Sequence, residues 1–334
     1  TGRGLWTCSL NRCKPIHKGG GNMRKLPLLI DCDPGVDDAI AILLSKYLTS
    51  LELVAVTSVA GNVEVEHTTR NALDLLELAG LGHIPVYRGA EKPLFGTALT
   101  APQVHGQNGL NGLSLPPSSR QPEELPAWDA IYETAKRFEG ELTVVAIGPL
   151  TNLGLALLKY KALPKLLKRV VLMGGAAIGG NVTPAAEFNV FADPEAADIV
   201  FHSGLDVTMC GLDVTVPAYL TADELDELGA LGSRQAKFAR DVSQGLLAYS
   251  KGYGLPGMCM HDPLALFYAD DETLLKTERA GVRVEMNGKL TRGKTVTDLY
   301  SDKKMEKNAV VATGVDREAF KRRLFETMAR YGAQ

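Results

Sequence analysis

Leu26-Pro27-Leu28-Leu29-Ile30-Asp31-Cys32-Asp33-Pro34-Gly35-Val36-Asp37-Asp38-Ala39-Ile40-Ala41-Ile42-Leu43-Leu44 is the stretch that decides the fold. Its opening run, Leu26 to Asp31, is apolar without alternation, which predicts a strand covered on both faces, as in a parallel sheet. The strand runs into four aspartates within eight residues, Asp31, Asp33, Asp37 and Asp38. A helical stretch follows, Asp37 to Tyr47, whose first turn is acidic. In open α/β sheets ligands bind outside the carboxyl ends of the strands, so chemistry is expected at the tip of this first strand.

Outward from that segment, short β-branched and leucine-rich runs alternate with amphipathic stretches of helical length, the pattern of an α/β sheet with parallel strands. Further strands are predicted at Leu51 to Val59, Pro85 to Arg88, Leu142 to Ile147, Val170 to Met173 and Leu205 to Leu212. Further helices are predicted at Val65 to Ala79, Ala127 to Phe138, Thr151 to Leu158, Pro194 to Phe201 and Ala222 to Leu228. Others follow at Ser233 to Leu247, Pro263 to Tyr268 and Arg317 to Tyr331. The fold class expected is α/β, an open and mostly parallel central sheet with helices on both faces. Short strand-to-helix crossings favour one continuous domain over 23–334. One connection is long and glycine-rich, Glu91 to about Leu125, with His105 inside it; such loops are usually functional. A solvent-exposed loop histidine is the plainer reading of His105.

Composition sets the outer limits. The 334 residues are 45% hydrophobic and 22% charged, which describes a globular chain able to bury a large core. With a formal net charge of -3 there is no global positive field to hold a phosphate backbone, so nucleic acid is not an expected partner. Apolar stretches such as Ala39 to Leu44 are far shorter than the roughly 20 residues of a spanning helix, so no membrane is expected either. Residues 1–22 read as a leader, tag or extension. They carry Arg3, Arg12, Lys14 and Lys18 and no acid, pass through Gly19-Gly20-Gly21, and lack the apolar core of a signal peptide. The body is therefore more acidic than the total suggests. Cys8 and Cys13 fall in that leader, and Cys32, Cys210 and Cys259 are scattered without metal spacing, so the body reads as cytoplasmic and reduced.

Asp37 and Asp38 could serve only as a helix cap and first-turn acid. Four anions this close, however, raise one another's pKa unless a cation is supplied. No lysine or arginine lies within the motif and no His or Cys set accompanies it, so oxygen ligands point to a hard divalent ion, Ca²⁺ or Mg²⁺, rather than zinc. Further oxygens are expected from other strand ends: Asn62, the backbone around Ile147, Asn189, and Asp262. Each has a plainer reading on its own. Asn62 could make a turn, Glu187 could be a solvated acid, and Asp262 could cap a helix that Pro263 begins. Asn62 and Ile147 nonetheless fall at or just after the ends of predicted strands.

At these residues the sequence resembles the inosine-uridine preferring nucleoside hydrolases, which cleave the N-glycosidic bond of ribonucleosides. The resemblance covers almost all of Met23 to Gln334. It rests on Asp31-Cys32-Asp33-Pro34-Gly35-Val36-Asp37-Asp38-Ala39, Gly61-Asn62, Gly148-Pro149-Leu150-Thr151-Asn152 and Val171-Leu172-Met173-Gly174-Gly175. Glu187-Phe188-Asn189, Asp193-Pro194-Glu195-Ala196-Ala197 and His261-Asp262-Pro263 complete it. The resemblance implies a Rossmann-like nucleoside hydrolase fold. It also implies a calcium ion held by Asp33, Asp38, Asp262 and the carbonyl oxygen of Ile147, the ribose diol and a water completing the shell. Asp33 would be the base that takes the proton from that water. Asp37, Asn62 and Asn189 would grip the diol, Asn181 and Glu187 the 5′-hydroxyl. Met173 and Phe188 would pack near the sugar, and His105 would belong to a mobile loop closing over it.

Carboxylates and amide oxygens around the sugar suit an oxocarbenium-like transition state. The departing base needs a proton or a hydrogen bond, for which His261 and Tyr253 are the candidates, with Tyr249 one turn from Tyr253 on the same wall. Ordinary packing is the plainer reading of both tyrosines. Trp6 and Trp128, the two tryptophans, lie away from the expected pocket, which fits the histidine-containing class that accepts pyrimidines or is non-specific. Uridine, cytidine and inosine are the expected substrates, in nucleoside catabolism and salvage, and a homodimer or homotetramer is implied.

Two other readings remain open on sequence. Asp31-Cys32-Asp33 could be the paired aspartates of a haloacid-dehalogenase-like phosphatase, with Asp31 as nucleophile and Mg²⁺ as cofactor. Such an enzyme also needs a downstream lysine and a second acidic pair at strand ends, and Asp270-Asp271 follows a helix-like stretch. Alternatively the chain could be a calcium-binding scaffold without catalysis.

Overall fold

A computed structural model describes residues 24–300 and 305–333. Residues 1–22, read above as a leader, tag or extension, lie outside the described residues with Trp6, Cys8 and Cys13, as does Met23. The first strand, β1 (Leu26–Cys32), is covered on both faces: Leu28, Ile30 and Cys32 enter one apolar cluster and Leu29 the other. It extends one residue past the expected end, so Asp31 lies inside the strand and Asp33 just beyond it.

The first half of the chain continues with α1 (Val36–Ser45), β2 (Leu51–Ser58), α2 (Val65–Ala79), β3 (Val86–Tyr87), α3 (Pro102–His105) and α4 (Ala127–Phe138). Then come β4 (Leu142–Ala146), α5 (Thr151–Lys159), α6 (Leu163–Leu166), β5 (Leu167–Met173), α7 (Phe188–Ala192), α8 (Pro194–Phe201) and β6 (Val207–Cys210). The remainder is α9 (Leu212–Thr215), β7 (Tyr219–Leu220), α10 (Ala222–Gly229), α11 (Arg234–Gly252), β8 (Met258–Cys259) and α12 (His261–Asp270). It closes with β9 (Leu275–Val284), β10 (Thr295–Asp298), β11 (Ala309–Val315) and α13 (Arg317–Ala329).

Nine strands form one sheet in the order β10-β9-β11-β6-β5-β4-β1-β2-β3, parallel from β11 to β3, with β9 and β10 added antiparallel at one edge. The α/β class and the open, mostly parallel sheet expected from sequence are what the chain adopts. The strand order reverses between β1 and β4, because β2 and β3 lie to one side and β5 and β6 to the other. That reversal opens the crevice in which such sheets bind ligands.

All ten residues of α1 are buried, so this helix is packed all round and carries Asp37 and Asp38 inward with it. The strands after β6 escape sequence reading for a physical reason. The β9 run alternates irregularly between buried and exposed positions, β10 has four residues, and β7 and β8 two each. The α12 helix corrects an expectation: it starts at His261 with Met260 as its cap, so Asp262 is a first-turn residue and not the cap of a helix begun by Pro263. Proline is tolerated there because first-turn N–H groups have no partner within the helix. Trp128 packs against the second apolar cluster, and Cys32, Cys210 and Cys259 are buried free thiols. Among the described residues no helix is long and apolar enough to cross a membrane.

Candidate active site

The tips of β1, β2 and β4 meet at the reversal of strand order. Asp31 stands opposite Thr57 on one side and Ala146 on the other, and the Ile147 N–H donates to the Asp31 carbonyl at 2.8 Å. Two glycines then let the chain close around the Asp33 carboxylate. A Cβ on Gly61 would lie 2.1 Å from Asp33 Oδ2, and one on Gly148 would lie 2.6 Å from Oδ1. The glycines of the Gly61-Asn62 and Gly148-Pro149 motifs are therefore close-approach positions.

Around this carboxylate the first turn of α1 is held by its own acids. Asp38 Oδ1 accepts the Asp33 N–H at 3.1 Å, while Oδ2 accepts the Gly35 N–H at 3.0 Å and the Asn62 side-chain amide at 3.1 Å. Asn62 also donates its main-chain N–H to Asp33 Oδ2 at 2.7 Å and its amide to the Asp33 carbonyl at 3.1 Å. Asn62 is thus a brace between two carboxylates rather than a simple turn. Asp33 Oδ1 is fully buried and has no hydrogen-bond partner among the described residues.

Oxygens of Asp37, Asp38 and Asp262, all buried, lie within 4.8 Å of one another. Burial, with the Asp38 charge next, pushes the Asp33 carboxyl well up; burial, then the Asp37 charge, does the same to Asp262. Burial raises Asp37 to about 6 and also raises Asp38. The Asp38 and Asp262 carboxyls are hydrogen-bonded to each other, which keeps the two acids in direct contact. Converging hard oxygens, mutual repulsion and an orphaned Asp33 oxygen fit a hard divalent cation. The resemblance implies a set of Asp33, Asp38 and Asp262; here Asp37 is the acid whose oxygen closes on Asp38 and Asp262.

The far wall comes from β5 and the segment before α7. Asn189 donates its amide to the Ile147 carbonyl at 3.0 Å and to the Met173 carbonyl at 3.1 Å, tying the ends of β4 and β5. Glu187 is buried and caps α7, which corrects the solvated-acid reading. It accepts the N–H groups of Asn189 at 2.9 Å, Val190 at 3.1 Å and Gly175 at 2.8 Å. Burial still raises it to about 7. Asn181, on the exposed side, accepts the Phe188 N–H at 2.9 Å.

His105 is buried, not solvent-exposed: the connection folds back so that Nδ1 accepts the Val36 N–H at 3.1 Å at the start of α1. That bond leaves the hydrogen on Nε2. Burial, then the neighbouring His261, lowers His105 to about 3. His261 Nδ1 lies 2.8 Å from the Thr215 hydroxyl, and burial lowers its pKa as well. Thr215 is a site residue that sequence reading misses, since it sits in the short α9, 46 positions from its partner. Tyr249 and Tyr253 pack with ring centroids 4.8 Å apart and planes tilted by 40° at the end of α11, and Tyr253 is 72% exposed, so the structure does not bring it into the buried cluster.

Asp31 has a different role from its neighbours. Its Oδ1 accepts the Thr57 hydroxyl at 2.6 Å and the Asn152 amide at 2.7 Å, it is fully buried, and burial raises it to about 6. Asn152 further binds the Ser58 carbonyl and the Ala90 N–H, both at 2.9 Å, pinning β2 to the loop after β3. Asp31 Oδ1 is thus committed to bracing β1 against β2 and the start of α5, a structural part unlike that of a phosphatase nucleophile, while its Oδ2 is buried without a hydrogen-bond partner among the described residues. Asp270, the other acid that reading would need, accepts the N–H groups of Thr49 and Ser50 and the Arg323 guanidinium.

A family model described as inosine-uridine preferring nucleoside hydrolase matches residues 28–322. The chain is 40% identical over 307 residues to the pyrimidine-specific ribonucleoside hydrolase RihA of Shewanella sp. strain MR-7, covering 91% of this chain and 96% of the relative. Among solved structures it is similar to the plant nucleoside hydrolase PpNRh1, with TM-score 0.87 and 35% identity over 92% of this chain and 99% of that one. A purine-preferring ribonucleoside hydrolase from Gardnerella vaginalis gives TM-score 0.86 and 35% identity over 91% and 98%.

Proposed function

This chain belongs to the inosine-uridine preferring nucleoside hydrolase family and hydrolyses the N-glycosidic bond of ribonucleosides, and from that premise we propose how its residues divide the work. The observation that carries the proposal is the buried carboxylate cluster at the reversal of strand order, with Asp33 Oδ1 left without a partner. Asp33, Asp38, Asp262 and the Ile147 carbonyl would hold a calcium ion. Such an ion would supply Lewis acidity for activating a water and a charge for anchoring the ribose diol.

Asp33 takes the proton from the attacking water as a new bond forms at C1′ and the bond to the base breaks. Asp37, Asn62 and Asn189 grip the diol, and Asn181 and Glu187 grip the 5′-hydroxyl. Met173 and Phe188 flank the sugar, and His105 closes the side formed by the long connection. Carboxylates on one side and amide oxygens on the other favour the positive charge developing on the sugar. The base leaves with the bonding electron pair. His261 is the group that meets it: with Thr215 donating to Nδ1, the neutral ring presents Nε2–H as a hydrogen-bond donor. Tyr253 and Tyr249 line the outer side of the base pocket. The catalytic domain spans 23–334. The same proposal includes a cytoplasmic enzyme of nucleoside salvage, assembled as a homodimer or homotetramer, with uridine, cytidine and inosine as substrates.

Relatives support opposite base preferences, one pyrimidine-specific and one purine-preferring, and share the ribonucleoside. The test is release of free base and ribose from uridine and inosine beside release of phosphate from a nucleotide. Base and ribose are expected; phosphate alone would overturn the proposal.

A further inference from the structure

The turn between β5 and α7 carries Asn181 and Glu187, and it is held from two sides by residues that the reaction itself does not use. From one side the Lys294 ammonium donates to three carbonyls of the turn, Ala176 at 2.8 Å, Ala177 at 3.0 Å and Gly179 at 3.3 Å. From the other the Asp213 carboxylate accepts the N–H groups of Ala177 at 2.7 Å and Ile178 at 3.0 Å. Thr295 adds its hydroxyl, which accepts the Ala176 N–H at 2.9 Å and donates to the Ala176 carbonyl at 2.8 Å. A turn whose tip, Ile178, is 83% exposed is thereby tied down by a cation, an anion and a hydroxyl.

Lys294 ends the loop between β9 and β10, and that hairpin is anchored independently. Arg292 grips Glu195 of α8 through both guanidinium nitrogens, at 2.8 and 2.9 Å. Gly293, with φ of 81°, passes so close to α7 that a Cβ there would lie 2.8 Å from Phe191 Cα. Lys294 therefore acts from a fixed platform. The clamp has a direct route to the site, because Gly175, at the start of the same turn, donates its N–H to Glu187 Oε2.

We propose that Lys294 and Asp213 are positioning residues, which set the turn so that Asn181 and Glu187 stand where the 5′-hydroxyl of a ribonucleoside is bound. This rests on the 5′-hydroxyl assignment of the proposed function. Hydrogen bonds to a misplaced turn cost binding only where the substrate has a group for that turn to hold. A loss confined to substrates bearing the 5′-hydroxyl separates positioning from general destabilisation.

The experiment compares uridine with 5′-deoxyuridine in the full chain and in K294M. On uridine, KM is expected to rise about tenfold with kcat within about twofold. On 5′-deoxyuridine, kcat/KM should stay within about twofold of the unsubstituted protein. D213N should show the same selectivity for substrate. An equal loss on both substrates, or no change on either, would overturn the proposal. Hydrolysis of 5′-deoxyuridine as fast as uridine by the unsubstituted protein would instead remove the 5′-hydroxyl assignment itself.

Discussion

The Asn62 N–H donates to Asp33 Oδ2 at 2.7 Å, and Asp33 Oδ1 beside it has no hydrogen-bond partner among the described residues. One carboxylate oxygen is immobilised by β2's continuation while the other remains available for a cation or a proton. Asp33→Ala is therefore expected to lower kcat for uridine by about 10²- to 10⁴-fold, the range of a lost general base. Without divalent ions the variant should melt no lower than the unsubstituted protein, because a buried, repelled carboxyl has been removed. Base release at saturating uridine checks the first point, and an unchanged kcat contradicts the assignment.

Gly148 faces the free oxygen. A methyl group there would sit 2.6 Å from Asp33 Oδ1 and 3.0 Å from Val59 Cγ1, so Gly148→Ala must push the carboxylate or the β4 tip aside. The expected result is a calcium affinity at least about tenfold weaker, as for a displaced ligand. Calorimetric titration with calcium measures it; an unaltered affinity would show that Asp33 is not a ligand.

Burial raises Asp37 to about 6 and Glu187 to about 7, with Asp33 and Asp262 raised well above the usual carboxylate range. A carboxyl whose pKa is higher folded than unfolded contributes stability that is full below its unfolded value and lost as pH rises through its folded value. Buried neutral His105 and His261 oppose this below the ordinary histidine value of 6.5, so the chelated protein should melt at progressively lower temperature from about pH 6.5 to about pH 8. Calcium should flatten that slope, since it binds the ionised carboxylates. Melting curves with chelator and with calcium give the comparison, and greater stability of the chelated protein at the alkaline end would contradict it.

Thr215 fixes the ring of His261 from 2.8 Å away. In Thr215→Val the imidazole loses the partner that selects its tautomer, so kcat for inosine is expected to fall about tenfold or more, with KM little changed. Steady-state kinetics read this directly; a rise in KM at constant kcat would place Thr215 in ribose binding instead.

Where signals are local, the sequence reads well. The α2, α4 and α8 helices have the bounds that periodicity predicts, because Gly80 ends the first in a left-handed conformation and Asp193 with Pro194 opens the last. Local signals also mark positions proposed for the site: Asp33, Asn62, Ile147 and Asp262 each follow a strand or open a helix. How they meet is not legible locally. Nothing near Thr215 announces His261, and nothing near Lys294 announces the turn at Ala176, since both contacts join segments that only the sheet order brings together. His105 misleads in the opposite sense, since its glycine-rich surroundings suggest exposure while its ring is buried against Val36.

On the proposed division of roles, Asp33 works on a ribonucleoside only with a cation held by these carboxylates. The measurement that tests it most directly is base release from uridine by protein stripped with chelator and then titrated with calcium. Activity should vanish on stripping and return with calcium in the unsubstituted protein, and should not return in Asp33→Ala. Activity that survives complete removal of divalent ions would contradict it.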